Sequence, residues 1–190
     1  MTVSFAKGEW DKDLFEQITS LRTDGRKPFL QEEDCVVNDD VHDRQDHMTY
    51  NYISLLSRKW FTAPVRLETE CSFERFGAPL LVLSDDIIQT EDGYPAYGHH
   101  FEIVAFEEGF NVWELNGRGK PMLSGKGRFP VPAGTFFTLS AAIREGSADI
   151  TLCGHTGTVS LPALPARFRA GITACEGVNR FRSFRAAEER

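Results

Sequence analysis

From Val65 to Phe184 the chain is a succession of short runs in which apolar and polar residues alternate, each cut off by a turn-forming residue. In Val65–Phe73 the residues Val65, Leu67, Thr69, Cys71 and Phe73 share one face, and Arg66, Glu68, Glu70 and Ser72 share the other. A period of two with one polar face specifies an antiparallel strand half open to water. Leu80–Leu83 is a short apolar run that fits a buried strand. Phe101–Phe106 and Asn111–Leu115 flank Glu107-Glu108-Gly109, while Phe136–Arg144 and Asp149–Cys153 flank Glu145-Gly146-Ser147. Both pairs read as hairpins. Tyr52–Leu56, Thr158–Leu161, Arg167–Cys175 and Asn179–Phe184 add further strands. Pro130, Pro132, Pro162 and Pro165 lie between the runs, as a residue with no backbone N–H must in a sheet. Many short strands with close turns and almost no helix predict an all-β sandwich or barrel.

Residues 1–60 are less regular. Asp11 to Thr19 suits one short helical turn or the entry of a strand, and residues 31–51 read as a polar, acidic loop around a short strand at Cys35–Val37. No repeat, low-complexity tract or linker divides the 190 residues, so one domain is expected over 1–190, with its sandwich core over 65–184. Hydrophobic residues make up 41% of the chain and include 15 Phe, enough for a packed core. Lys and Arg total 21 against 28 Asp and Glu, a formal net charge of -7. That balance opposes binding by phosphate neutralisation or by attraction to an anionic membrane, so neither nucleic acid nor a membrane is an expected partner. No basic region followed by an apolar run opens the sequence, and no apolar stretch is long enough to span a bilayer as a helix. Cys35, Cys71, Cys153 and Cys175 form no CxxC pair and read as small hydrophobes rather than disulfide or zinc partners. A cytoplasmic location is the expectation that follows.

The closing third carries a further signal. A Phe-rich hairpin is followed by a Gly-headed strand, then by Ala170-Gly171-Ile172-Thr173-Ala174-Cys175, a turn at Glu176-Gly177, and Asn179-Arg180-Phe181-Arg182-Ser183-Phe184. This order resembles the concanavalin A-like lectin/glucanase (laminin G-like) jelly-roll superfamily over Val65 to Phe184. The resemblance implies a two-sheet antiparallel sandwich whose concave sheet carries a carbohydrate groove.

Laminarinase-type glucanases of that superfamily place their acids on one strand, as Glu-x-Asp-x-x-Glu or Glu-x-Asp-x-Glu. The nearest segment here is Glu102-Ile103-Val104-Ala105-Phe106-Glu107. Glu102 can take the first position. Val104 stands where the central Asp is needed, and Glu107 is out of phase with Glu102 in a regular strand. Glu102 remains the candidate acid/base, with His100 on the same face as its partner. Glu68 and Glu70 offer a second carboxylate pair, about 6.5–7 Å apart on the polar face of one strand. A solvated outer face beside Arg66 is the more ordinary reading, because charge on one strand face is common in antiparallel sheets. His99 and His100 are adjacent, so their rings point to opposite faces and cannot easily converge on one metal. His42, Asp43, Asp46 and His47 form a second cluster whose spacing matches no familiar zinc pattern. No metal or other cofactor is expected.

Sugars stack their C–H faces on aromatic rings and need polar partners for their hydroxyls. Trp113, alternating with Asn111, and Tyr97, in the loop before the histidine pair, are the candidate platforms. Trp113 also suits inter-sheet packing, and Tyr97 suits a groove rim. No nucleophile elbow, phosphate-binding loop or zinc-protease motif is present, and Gly117-Arg118-Gly119-Lys120 reads as a hairpin loop. The expected function is recognition of an oligosaccharide or glycoside on a concave polar face that includes Glu68, Glu70, His100 and Glu102. Two alternatives stand beside it. One is an intracellular glycoside hydrolase with Glu102 as acid/base. The other is a non-catalytic structural or protein-interaction module that forms a homo-oligomer through a sheet edge.

Overall fold

The alternating runs become strands in the computed structural model, which describes residues 1–21, 28–38, 52–74 and 76–189. Those residues form β1 (Thr2–Ser4), β2 (Phe15–Ile18), β3 (Leu30–Gln31), β4 (Val36–Val37), β5 (Tyr52–Thr62), β6 (Val65–Phe73), β7 (Ala78–Ser84), β8 (Ile87–Gln89) and β9 (Pro95–Tyr97). They continue with β10 (His99–Phe106), β11 (Gly109–Asn116), β12 (Met122–Arg128), β13 (Phe137–Arg144), β14 (Ser147–Leu152), β15 (His155–Ser160), β16 (Arg167–Cys175) and β17 (Asn179–Glu188). A 3-10 turn at Lys12–Leu14 leads into β2, and the Asp11 carboxylate caps it by accepting from the Asp13 N–H at 2.8 Å.

Two antiparallel sheets result. One runs β15-β14-β13-β6-β17-β4-β3, with β1 also paired to β17. The other runs β12-β11-β10-β7-β16-β5-β2. The hairpin β8-β9 stands apart as a two-stranded ribbon. The molecule is therefore the all-β, two-sheet sandwich that the periodicity predicts, and the closing strands β16 and β17 are each central in one sheet.

The main core fills the space between the sheets. Val65, Leu67, Cys71 and Phe73 of β6 meet Phe101, Ile103 and Ala105 of β10, with Phe61, Phe110, Phe168, Phe181 and Phe184 around them. Burying one such side chain stabilises the fold by about 1.5–3 kcal/mol. A second, smaller core lies on the other face of the seven-stranded sheet. Ile18, Tyr52, Leu56, Leu80, Val82 and Tyr97 pack there, under the end of the β8-β9 ribbon. Strand β7 is consequently buried on both faces along its whole length.

Several strand assignments differ from the sequence reading: β5 and β17 run on to Thr62 and Glu188, and the β8-β9 ribbon is additional. Cys153 is not the end of a strand: it is exposed, has a φ of 49° and turns the chain from β14 into β15. It is thus no buried hydrophobe, unlike Cys35 and Cys71. Strand β15 begins at His155, ahead of the Thr158 expected from its apolar residues. Strand β12 has the sequence MLSGKGR and no legible alternation. Its glycines answer to packing rather than propensity. A Cβ on Gly125 would lie 2.5 Å from Val159 Cγ2, and one on Gly127 would lie 2.5 Å from Phe110 Cε1. Bare backbone is what lets this edge close down on the opposite sheet. The expected cluster of His42, Asp43, Asp46 and His47 lies outside the described residues. Among the described residues no group of His, Cys, Asp and Glu is arranged to hold a metal ion.

Candidate functional site

Strand β10 turns Phe101, Ile103 and Ala105 into the main core, so His100, Glu102, Val104 and Phe106 face the other way. Glu102 is opposite Val82 on β7 and Trp113 on β11. Directly opposed residues of an antiparallel pair share a face, so Trp113 stands beside Glu102. Together they line a cleft of about 910 Å³ that also takes in Tyr52, Leu80, Val104, Asn111 and Cys175 of the sheet. Phe76, Lys120, Pro121 and Glu176, from the connecting loops, form its margins.

Glu102 is only 7% exposed and is held from two sides. The Tyr52 hydroxyl donates to its Oε1 at 2.7 Å, and His100 Nε2 lies 3.3 Å from the same oxygen. Oε2 has no partner among the described residues and remains available to the cleft. Tyr52 is fully buried, and burial first and the Glu102 charge second push its pKa well above the usual phenol value. It therefore stays a donor. The other ring nitrogen of His100, Nδ1, is 3.2 Å from the Gly98 carbonyl oxygen. Both neighbours of the ring are acceptors. Satisfying the two contacts together takes a proton on each nitrogen, or one on Glu102.

Beyond His100 the face is filled. The Tyr97 ring stacks on the imidazole at 4.8 Å and 29°, and its hydroxyl is 2.6 Å from Ser54 Oγ, which accepts from Thr173 Oγ1 at 2.7 Å. Tyr97 is 1% exposed, and burial pushes its pKa upward. It is buried behind His100 in the second core and presents no face to the cleft, unlike the stacking platform expected from sequence. Its loop folds down onto an apolar half-face instead of standing at a rim.

Glu68 and Glu70 are not brought to Glu102. They lie on β6, in the opposite sheet, with their polar face turned outward. Glu68 accepts from Arg185 at 3.5 Å, and Glu70 accepts from Arg182 at 3.3 Å. The alternation of β6 was legible, but which sheet it joins was not, and that decides the face. His99 and His100 diverge as expected. His99 Nε2 is 3.0 Å from Glu114 Oε1, and its ring meets Phe101 edge-on. On the outward face of β10, Val104 and Phe106 occupy the positions in phase with Glu102, so the strand contributes one acid to the cleft. The other cleft carboxylates, Glu107 and Glu176, come from turns. Tyr52 is the functional residue that sequence reasoning missed. Its only signal is a hydroxyl at the head of an apolar strand, and its partner is 50 positions away.

No protein-family model matches the chain, and no curated protein matches it either. Solved structures do. A Bacillus subtilis protein of unknown function with a galectin-like fold is 10% identical and matches with a TM-score of 0.65, over 100% of this chain and 96% of its own. A glycoside hydrolase family 16 endo-glucanase from Bacteroides ovatus is 9% identical, with a TM-score of 0.59 over 98% of this chain and 99% of its own. The family 66 carbohydrate-binding module from Bacillus subtilis is 11% identical, with a TM-score of 0.55 over 72% of this chain and 82% of its own. At such identities the likeness is one of fold. The fold is the concanavalin A-like lectin/glucanase jelly roll, which carbohydrate-binding modules and glycoside hydrolases share.

Proposed function

We propose that this protein binds a carbohydrate in the cleft on the outward face of its seven-stranded sheet. One observation carries the reading: Trp113, a flat apolar ring, stands beside Glu102, a carboxylate held in place by Tyr52 and His100. Ring and acceptor side by side suit a pyranose, whose C–H face stacks while its hydroxyls donate. The Tyr52 and His100 bonds pre-orient the acid, so less rotamer freedom is lost on binding.

Titrating oligosaccharides while following tryptophan fluorescence tests this. Trp113→Ala is expected to weaken binding by at least about tenfold, close to 1.4 kcal/mol. Trp60→Phe, at an exposed ring that Arg167 overlies, is expected to leave it unchanged. Equal affinity in the wild type and in Trp113→Ala would overturn the assignment.

The contact of His100 Nε2 with Glu102 Oε1 supports a second reading, a glycoside hydrolase with Glu102 as acid/base. That chemistry needs a second carboxylate about 5–10 Å away, on the other side of the bond. Glu107 and Glu176 are what the cleft offers. Release of reducing ends from a bound oligosaccharide, abolished in Glu102→Gln with the fold intact, would establish it. Binding without turnover leaves the first reading alone.

A further inference from the structure

Two groups of cations in this acidic chain differ in their partners. Those on and around the eight-stranded sheet are paired: Arg66 with Glu189, Arg144 with Asp149, Arg180 with Glu32 and Glu74, Arg182 with Asp34 and Glu70, and Arg185 with Glu68. The second group lies in residues 115–143, which contain Arg118, Lys120, Lys126 and Arg128 and not a single Asp or Glu. Among the described residues, the side chains of Arg118, Lys120 and Lys126 make no ion pair or hydrogen bond, although acids outnumber bases in the chain.

Strand register puts this second group at the cleft. Asn111 is opposite Lys126, Gly109 is opposite Arg128, and a bulge after Val112 brings Trp113 opposite Leu123. Opposed residues share a face, so Lys126 lies on the face of Asn111 and Trp113, both of which line the cleft. Lys120, in the β11–β12 connection, lines the cleft itself. Arg128 is fixed there, donating to Asn111 Oδ1 at 2.9 Å with its guanidinium 5.2 Å over the Phe106 ring.

The carboxylates of the cleft are placed differently. Glu102 is on the floor with Oε1 already occupied, Glu107 closes the β10–β11 turn, and Glu176 follows β16, across the sheet from β12. Lys120 therefore edges the cleft on the β12 side, with Lys126 on the same sheet face, while the Glu107 turn stands at one end of that edge and Glu176 lies across the sheet. A concave surface edged by unpaired cations concentrates anions.

Resting on the saccharide reading above, we infer that the bound saccharide is anionic, with sulfate or carboxylate groups that lie against Lys120 and Lys126 in turn while its neutral hydroxyls meet Glu102. The test uses matched pairs in calorimetric titrations of the full chain. One pair is a sulfated galacto-oligosaccharide and its desulfated form; the other is an oligogalacturonate and its methyl ester. The charged member of one pair is expected to bind about tenfold tighter, since an exposed ion pair contributes about two- to fivefold. Whichever pair shows the preference identifies sulfate or carboxylate as the group. The preference should collapse in about 1 M salt, where the screening length falls to about 3 Å. It should also be mostly lost in Lys120→Gln/Lys126→Gln; both positions are exposed, and an unchanged melting temperature would confirm the fold. Equal binding of both members of each pair overturns the inference and spares the saccharide reading. No binding by any member overturns both. A double variant that keeps the preference, or keeps it and dimerises, assigns the lysines to guarding the β12 edge and overturns the inference as well.

Discussion

At the scale of single residues, the buried acid depends on Tyr52. Its hydroxyl is a donor to a charged acceptor at 2.7 Å in a dry setting. Tyr52→Phe is expected to destabilise the fold by about 1.5–3 kcal/mol, because a carboxylate oxygen loses its better partner. In a Glu102→Gln background the same change should cost less, since no unpaired charge is left behind. Denaturant midpoints of the two single variants and the double variant measure that coupling; full additivity would mean that Tyr52 does not support Glu102. Cys35 shows how burial acts on another group. Its thiol is pushed up to about 12 by burial first and by its bond to Glu32 next. A pKa raised in the folded state means a contribution to stability that is complete below the ordinary value of 9.0 and is lost as pH climbs toward 12.

At the scale of elements, close approach explains what propensity does not. Gly171 sits where the pairing of β16 with β5 shifts register, and a Cβ there would lie 2.0 Å from the Leu55 carbonyl oxygen. Backbone cannot rotate aside as a side chain can. Gly171→Ala is accordingly expected to cost about 1–3 kcal/mol, read as a lower melting temperature. A neutral result would show that β5 can move away. The same distinction separates what was legible from what was not. Val65–Phe73 was readable to the residue, because one-sided burial writes a period of two into the chain; Arg167–Cys175, buried on both faces, was readable from the turn residues that bound it. Strand β12 was invisible because its glycines serve contacts with Val159 and Phe110, far off in sequence or on the neighbouring strand. The His100–Glu102 pair was legible, being two apart on one strand. The separation of Glu68 and Glu70 from it was not, because sheet membership follows from long-range pairing.

At the scale of the whole molecule, the two sheets have different outer faces. The eight-stranded sheet is covered by arginine–carboxylate pairs, among them Arg182, which also stacks over Phe136 at 3.7 Å. Exposed pairs of this kind add little stability each. The seven-stranded sheet instead carries the cleft over part of its outward face and a second apolar core over the rest. Its strand β7, sealed on both sides, reads APLLVLS, with no charge anywhere in it. Outside the finished sandwich its proline-free part, Leu80–Ser84, is self-adhesive: uncharged, aliphatic and competent to pair with a second copy of itself. Asp85 and Asp86 follow it directly, and Asp86 is tied in by accepting the His99 N–H at 2.8 Å, whereas Asp85 is exposed. Burying a strand from both sides thus leaves the growing or refolding chain with a gatekeeper to maintain, and Asp85 stands where a charge protects the segment until β10 and β16 close around it.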